Sequence, residues 1–279
     1  MRRGSFFCKM GTKQQPIQKE QSMQKHIMAW LAIAGLFTGL WLSGCQTPIL
    51  SGGGNPPLRV GVATDNPPMI FKQGGQILGL EADHAREMAK ALGRPLQFVE
   101  IPWDDLIGAL LGDRIDIIMS GMTVTPERNI RIAFSDSFMQ QGMMALIRRA
   151  DRNRFSASDR ICEANVNFTV QKKTTADIYA QQNCRNASSI AWMDPKDAAE
   201  ALCAKMTDVY IHDAAVITWM ASENEADLIA LPLPSKKDHL AWGLKKSDTE
   251  LLETVNKVLD QWKQDKTLDR LRKRWIQPD

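Results

Sequence analysis

Residues Ser120 to Arg128 read SGMTVTPER and concentrate several groups able to bind an anion. An apolar run ends at Met119, a glycine loop follows, and Thr125 and Pro126 suit the N-cap and first position of a helix. Where a strand C-terminus meets a helix N-terminus, free backbone N–H groups and the helix dipole favour small anions. Ser120 and Thr123 add hydroxyls, and the Arg128 guanidinium is a planar fork matched to a carboxylate. The plainer alternative makes Arg128 a surface helix residue. Asp213 ends a second apolar run and precedes a helix at Ala214, so it is either an N-cap or a carboxylate at a strand mouth. Glu81, His212 and Asp213 offer acid–base groups, but no spacing among them demands catalysis. His26, His84, His212 and His239 are scattered and make no helix-spaced ligand pair, so neither a metal nor a cofactor is expected.

The elements that must hold these residues follow from periodicity. Strand and helix patterns alternate from Leu58 onward, as in an α/β fold built from βα units. Strands are predicted over 58–63, 96–101 and 115–119, with a short extended piece at 77–80. Helices are predicted over 80–92, with Ala85, Met88, Ala89 and Leu92 on one face and Gly93 as the stop, and over 104–111. A second series begins near Ala164: strands at 168–171, 188–192 and 208–212, and helices at 174–182 and 195–205. A strand at 240–244 and helices at 249–263 and 268–275 close the chain. Charged stretches near 148–154 and 235–238 separate the series and suit crossings between two lobes.

The N-terminal 45 residues are an address. Ile27 to Leu42 is an apolar run of 16 residues, short of the roughly 20 that span a membrane but right for a signal-peptide core. Lys25 and His26 flank it, and Met23 would suffice as a start. It ends in Leu42-Ser43-Gly44-Cys45, which looks like a lipobox: residues 1–44 would be removed and Cys45 would carry lipid. Residues 45–57, including Ser51-Gly52-Gly53-Gly54-Asn55-Pro56-Pro57, read as a tether. The net charge of +3 is misleading, because six of the 35 basic residues and one of the 32 acidic ones lie in 1–44. The remainder holds 29 basic and 31 acidic residues, so no nucleic-acid partner is implied. Beyond Cys45 only Cys162, Cys184 and Cys203 remain. Three pairings are possible, and Cys162–Cys184 is favoured.

From Leu58 to Ile276 the sequence resembles the periplasmic solute-binding proteins of the polar amino-acid type. The carrying segments are LRVGVATDNPPMIF from Leu58, LGLEADHAREMAKALG from Leu78, WDDLIGALLGDRIDIIMSGMTVTPER from Trp103, IAFSDSF from Ile132, TDVYIHDAAV from Thr207, and the C-terminal run from Leu251 to Trp275. The resemblance implies a two-lobe (type II) periplasmic-binding-protein fold, with lobe one at 58–140 plus 240–279 and lobe two at 141–239. It implies a monomer that closes around an amino acid and hands it to an ABC transporter permease, anchored by lipid in the periplasm or at the cell surface. Arg128 would hold the ligand's α-carboxylate, Asp213 its α-ammonium, and Trp103 would stack on it. Ser120, Gly121, Thr123, Thr175 and Asn66 would complete the site. Two departures stand out. Lys173 occupies a position where the family usually has glycine. Ala63 stands where binders of basic amino acids often carry aspartate, which implies against lysine or arginine as the ligand. The same scaffold also serves cyclohexadienyl dehydratases, so an elimination enzyme is the alternative function, and a ligand-binding module for a sensor is another.

Overall fold

The computed structural model describes residues 55–155, 161–162 and 165–276. The expected signal peptide and the lipid cysteine, Cys45, lie outside the described residues.

Two five-stranded sheets organise the body. In the first, Leu58–Val62 runs parallel to Leu96–Glu100 on one side and to Ile117–Ile118 on the other. Gly243–Leu244 then pairs antiparallel with both Ile117–Ile118 and Ala133–Phe134. In the second, Asn167–Val170 lies parallel to Ser189–Trp192 and Val209–Asp213. Met143–Arg148 is antiparallel to both Val209–Asp213 and Leu228–Pro232. Between the sheets, Met139–Gln141 pairs antiparallel with Asp238–Leu240. The chain thus leaves the first sheet and returns to it along two adjacent strands.

Several strands depart from the sequence reading. The expected strand at 240–244 is two elements: Asp238–Leu240 sits in the crossing pair, and Gly243–Leu244 in the first sheet. Met143–Arg148 and Leu228–Pro232 are strands that the periodicity reading left unassigned. The helix expected at Ala214 runs over Ala214–Glu223 and is apolar on most of its circumference.

Each sheet is covered by helices with apolar faces. Leu80–Ala91 buries Leu80, Ala82, Ala85, Met88 and Ala89, and Thr249–Gln264 buries Leu251, Val255, Leu259 and Trp262 at helical spacing. Both close over a core with Val60, Val62, Ile117 and Trp242. Gly79 precedes the first of these helices at φ +119°, where a Cβ would come within 2.4 Å of the Met69 carbonyl oxygen. Only glycine allows that approach. The second core gathers Phe168, Val170, Ala176, Ala180, Val209 and Ile211. Cys162 and Cys184, at its edge, are joined by a disulfide.

Candidate functional site

Arg128 lies in the third position of the helix Pro126–Arg131. The Thr125 hydroxyl caps that helix by accepting the Arg128 N–H at 3.2 Å. The guanidinium folds back: Nη1 donates to the Thr123 carbonyl at 2.8 Å, and Nη2 donates across to the Lys173 carbonyl at 3.1 Å. The Trp103 ring stands 5.3 Å from its carbon, and the Trp103 indole N–H reaches the same Lys173 carbonyl at 3.4 Å. Arg128 is therefore half-buried against the second lobe. Burial pulls its pKa down, and the charge of Asp213 works against that fall.

Asp213 ends the strand Val209–Asp213 from the other sheet. It stands at the N-cap of Ala214–Glu223, yet its side chain makes no capping bond. Its backbone N–H donates to His212 Nδ1 at 2.8 Å. Burial pushes the carboxyl up to about 7; the Arg128 charge opposes this and Asp238 adds to it. Among the described residues no ion pair joins Arg128 to Asp213. Two opposite charges from different sheets thus feel each other across a gap.

The other anticipated residues fall into distinct places. The Ser120 hydroxyl accepts the Ala63 N–H at 3.0 Å and ties the SGMT loop to the end of the first strand. Thr123 is buried and bridges to Leu240 in the crossing pair. Asn66 is buried with its Oδ1 unpaired. In the second lobe Thr174 is the N-cap, accepting the Asp177 N–H at 3.2 Å, and Thr175 follows as a half-buried first helical residue.

Gly121 needs a correction. Its left-handed conformation, φ +69°, suits glycine, but its N–H donates to Glu81 Oε1 at 2.7 Å and is not a free donor. Glu81 has no exposed surface and also accepts the Trp242 indole N–H at 2.9 Å, with His84 Nδ1 at 3.2 Å. With both oxygens engaged, Glu81 holds the loop in place. Lys173, the departure from glycine, keeps a glycine-like backbone at φ +57°. That left-handed turn aims its carbonyl at Arg128 and Trp103.

Beside this constellation a cleft of about 640 Å³ opens, with Trp103 as the shared wall. Ala63, Asp65, Asp104, Gln171, Trp192 and Asp194 also line it. Arg128 and Asp213 do not. Gln171 Nε2 donates to Asp65 Oδ2 at 3.0 Å and Asp194 Oδ1 at 3.3 Å, and its Oε1 lies 3.1 Å from His212 Nε2. Sequence reasoning missed Asp65, Gln171, Trp192 and Asp194. Asp65 sits inside the conspicuous ATDNPP segment, but its neighbours across the cleft come from residues more than a hundred positions away. Among the described residues no group of three or more His, Cys, Asp or Glu could hold a metal ion, and no helix is long and apolar enough to cross a membrane.

Two lobes with a polar cleft at their strand ends define a solute-binding architecture. Residues 58–278 match the bacterial extracellular solute-binding proteins, family 3, and the chain belongs to that family. It is 23% identical over 223 residues to the L-cystine-binding protein of Escherichia coli K12, covering 80% of this chain and 83% of that one. The fold matches an ancestral amino acid-binding protein, a precursor of cyclohexadienyl dehydratase, at 32% identity and a TM-score of 0.74, over 79% of this chain and 96% of the other. It also matches a binding component of an ABC transporter from Wolinella succinogenes, complexed with lysine, at 28% identity and a TM-score of 0.74, over 80% and 96%.

Proposed function

We propose that this protein captures an amino acid between its lobes, outside the cytoplasm, and delivers it to an ABC permease. The observation that carries the reading is the pair Arg128 and Asp213: opposite charges, from different sheets, within electrostatic reach but joined by no ion pair. An α-carboxylate on Arg128 and an α-ammonium at Asp213 would satisfy both at once. Trp103 would pack on the ligand, and Ser120, Thr123, Thr175 and Asn66 would supply further polar contacts. Gly121 contributes backbone shape. Lobe one would be 58–140 with 240–279 and lobe two 141–239, hinged at the crossing pair 139–141 and 238–240. Removal of 1–44 and lipid at Cys45 would tether the monomer to a membrane.

Hydrogen bonds to charged groups contribute roughly 1.5–3 kcal/mol each, and micromolar affinity needs about 8 kcal/mol. Two such bonds from Arg128, one or two at Asp213 and the Trp103 face reach that total. A thermal-shift screen against the twenty amino acids tests the reading, because a ligand that binds only the folded state raises Tm with its concentration. A hit weakened at least ~100-fold by Arg128→Ala and by Asp213→Asn is expected. No shift with any amino acid would overturn it.

A second reading, elimination catalysis, draws on the place of Asp213 at a strand end facing Arg128, where burial pushes its carboxyl up to about 7, into the range that suits a general acid. The likeness to a dehydratase precursor is compatible with it. Against it, Glu81 is locked into the scaffold. The same screen separates the two, because a ligand consumed with release of a new product would mark an enzyme.

A further inference from the structure

Building on the amino-acid reading above, we infer that the cleft beside Trp103 is a compartment for a positively charged side chain, which Asp65 and Asp194 clamp from opposite lobes, so that the captured amino acid is a basic one. The first observation is an imbalance of charge in the wall. Asp65, Glu100, Asp104, Asp194 and Asp197 all line the cleft, with Lys172 the one cation among the lining residues. Lys172 sits 5.2 Å over the Trp192 ring. Glu100 is paired with Lys72 at 2.7 Å, and Asp104 with Lys173 at 3.5 Å. No ion pair among the described residues reaches Asp65 or Asp194. Both lean instead on the Gln171 amide.

The second observation is a buried polar group left unpaired beside them. Tyr210 has no exposed surface, its hydroxyl makes no hydrogen bond, and it lies within electrostatic reach of Asp65, Asp194 and Asp213. Asp65 Oδ1 is likewise buried and unpaired. Unmet acceptors of this kind are costly unless a partner arrives.

The third is that the donor between the carboxylates is fixed. His212 Nδ1 accepts the Asp213 N–H, so the ring proton sits on Nε2 and points at Gln171 Oε1. Burial holds His212 down at about 4, so the ring stays neutral. Gln171 therefore cannot flip, and its NH2 group stays on Asp65 and Asp194. One neutral amide cannot compensate two carboxylates; burial and the nearby Asp194 push Asp65 up to about 6. A guanidinium or ammonium entering the cleft would meet Asp65, whose Oδ1 lacks a hydrogen-bond partner, and Asp194, with the indoles of Trp103 and Trp192 in the same walls to pack on its alkyl stem. The aspartate missing at position 63 is thus replaced from position 65 and from the facing lobe.

Isothermal titration of the purified full chain with L-arginine, L-lysine, L-glutamine and L-glutamate decides the matter. Arginine or lysine is expected to bind at least ten-fold more tightly than glutamine, with glutamate weakest. Asp65→Asn and Asp194→Asn should each weaken the basic ligand at least ten-fold and leave glutamine unchanged or improved, a change in preference that misfolding cannot produce. If glutamine or another neutral amino acid binds more tightly than arginine and lysine, or if both variants keep the arginine-to-glutamine ratio, the cationic compartment is overturned while the amino-acid reading stands. If no amino acid binds, both fall.

Discussion

Glu81 shows how a single side chain can matter for a site without facing it. Its two oxygens accept from the Gly121 amide, the Trp242 indole and His84, all without solvent. Glu81→Ala would strand these buried donors, and losing a buried charged hub costs about 3–5 kcal/mol. In a body of this size that is a fall in Tm of roughly 6–20 °C, read directly in a melting scan. The Gly121 loop should slacken with it, so ligand affinity should drop as well. The readable residues are those whose role follows from their place in an element. Arg128 and Asp213 stand at strand-to-helix junctions, which the local pattern marks in the sequence. Asp65, Gln171, Asp194 and Tyr210 were not readable, because each acquires its meaning from a partner brought close only by folding. Ala63 argues against a basic ligand in the sequence, whereas Asp65, two residues on, and Asp194 of the other lobe line the same cleft.

At the scale of elements, hydrophobic period did most of the work. The buried stripes of Leu80–Ala91 and Thr249–Gln264 repeat at helical spacing, and the apolar run Leu58–Val62 is a parallel central strand. Reading failed where period carries no information. Met143–Arg148 and Leu228–Pro232 are paired by long-range antiparallel contacts, and residues 240–244 look like one strand because nothing local marks the change of sheet at Ala241–Trp242. Lys173 took a backbone expected of glycine because the helix cap at Thr174 and the Asp177 carboxylate, which accepts the Lys173 N–H at 3.0 Å, hold the turn. The disulfide Cys162–Cys184 ties the strand Asn167–Val170 and the helix Thr175–Asn183 into one unit across a sequence separation of 22. Closing a loop of that length removes unfolded-state entropy equivalent to about 3 kcal/mol. Reduction should lower Tm by roughly 6–12 °C. Because neither cysteine lines the cleft, ligand affinity below the new Tm should not move; a parallel loss of affinity would mean that this unit shapes the site.

The two lobes touch through Gln171 on Asp65, through Lys173 on Arg128, Trp103 and Asp104, through Phe71 against Trp219 with ring centres 5.9 Å apart, and through Ala215 packed with Met69 and Leu80. A ligand that replaces weak contacts between lobes by charged ones shifts the molecule toward closure by its differential affinity alone. The same step moves protons. A carboxyl raised by burial holds its proton more tightly in the folded, ligand-free protein than in the unfolded chain. Its stabilising contribution is therefore complete below the ordinary carboxylate range and is lost as pH rises through about 7 for Asp213 and about 6 for Asp65. The ligand-free protein should accordingly melt higher at pH 5.5 than at pH 8, against the opposing trend of His212, which burial holds down at about 4, and Asp213→Asn should flatten or reverse that dependence. An α-ammonium placed beside Asp213 favours its ionised form, so binding near neutral pH should expel protons from that residue. At pH 6 the release should be larger if a cationic side chain also ionises Asp65, and Asp65→Asn should reduce it. Titration calorimetry in phosphate and in Tris, whose ionisation enthalpies differ widely, counts these protons from the difference in apparent binding enthalpy. Equal enthalpies in the two buffers would remove Asp213 from the ammonium's contacts. A release at pH 6 that Asp65→Asn leaves unchanged would keep Asp213 in place and take Asp65 out of the site.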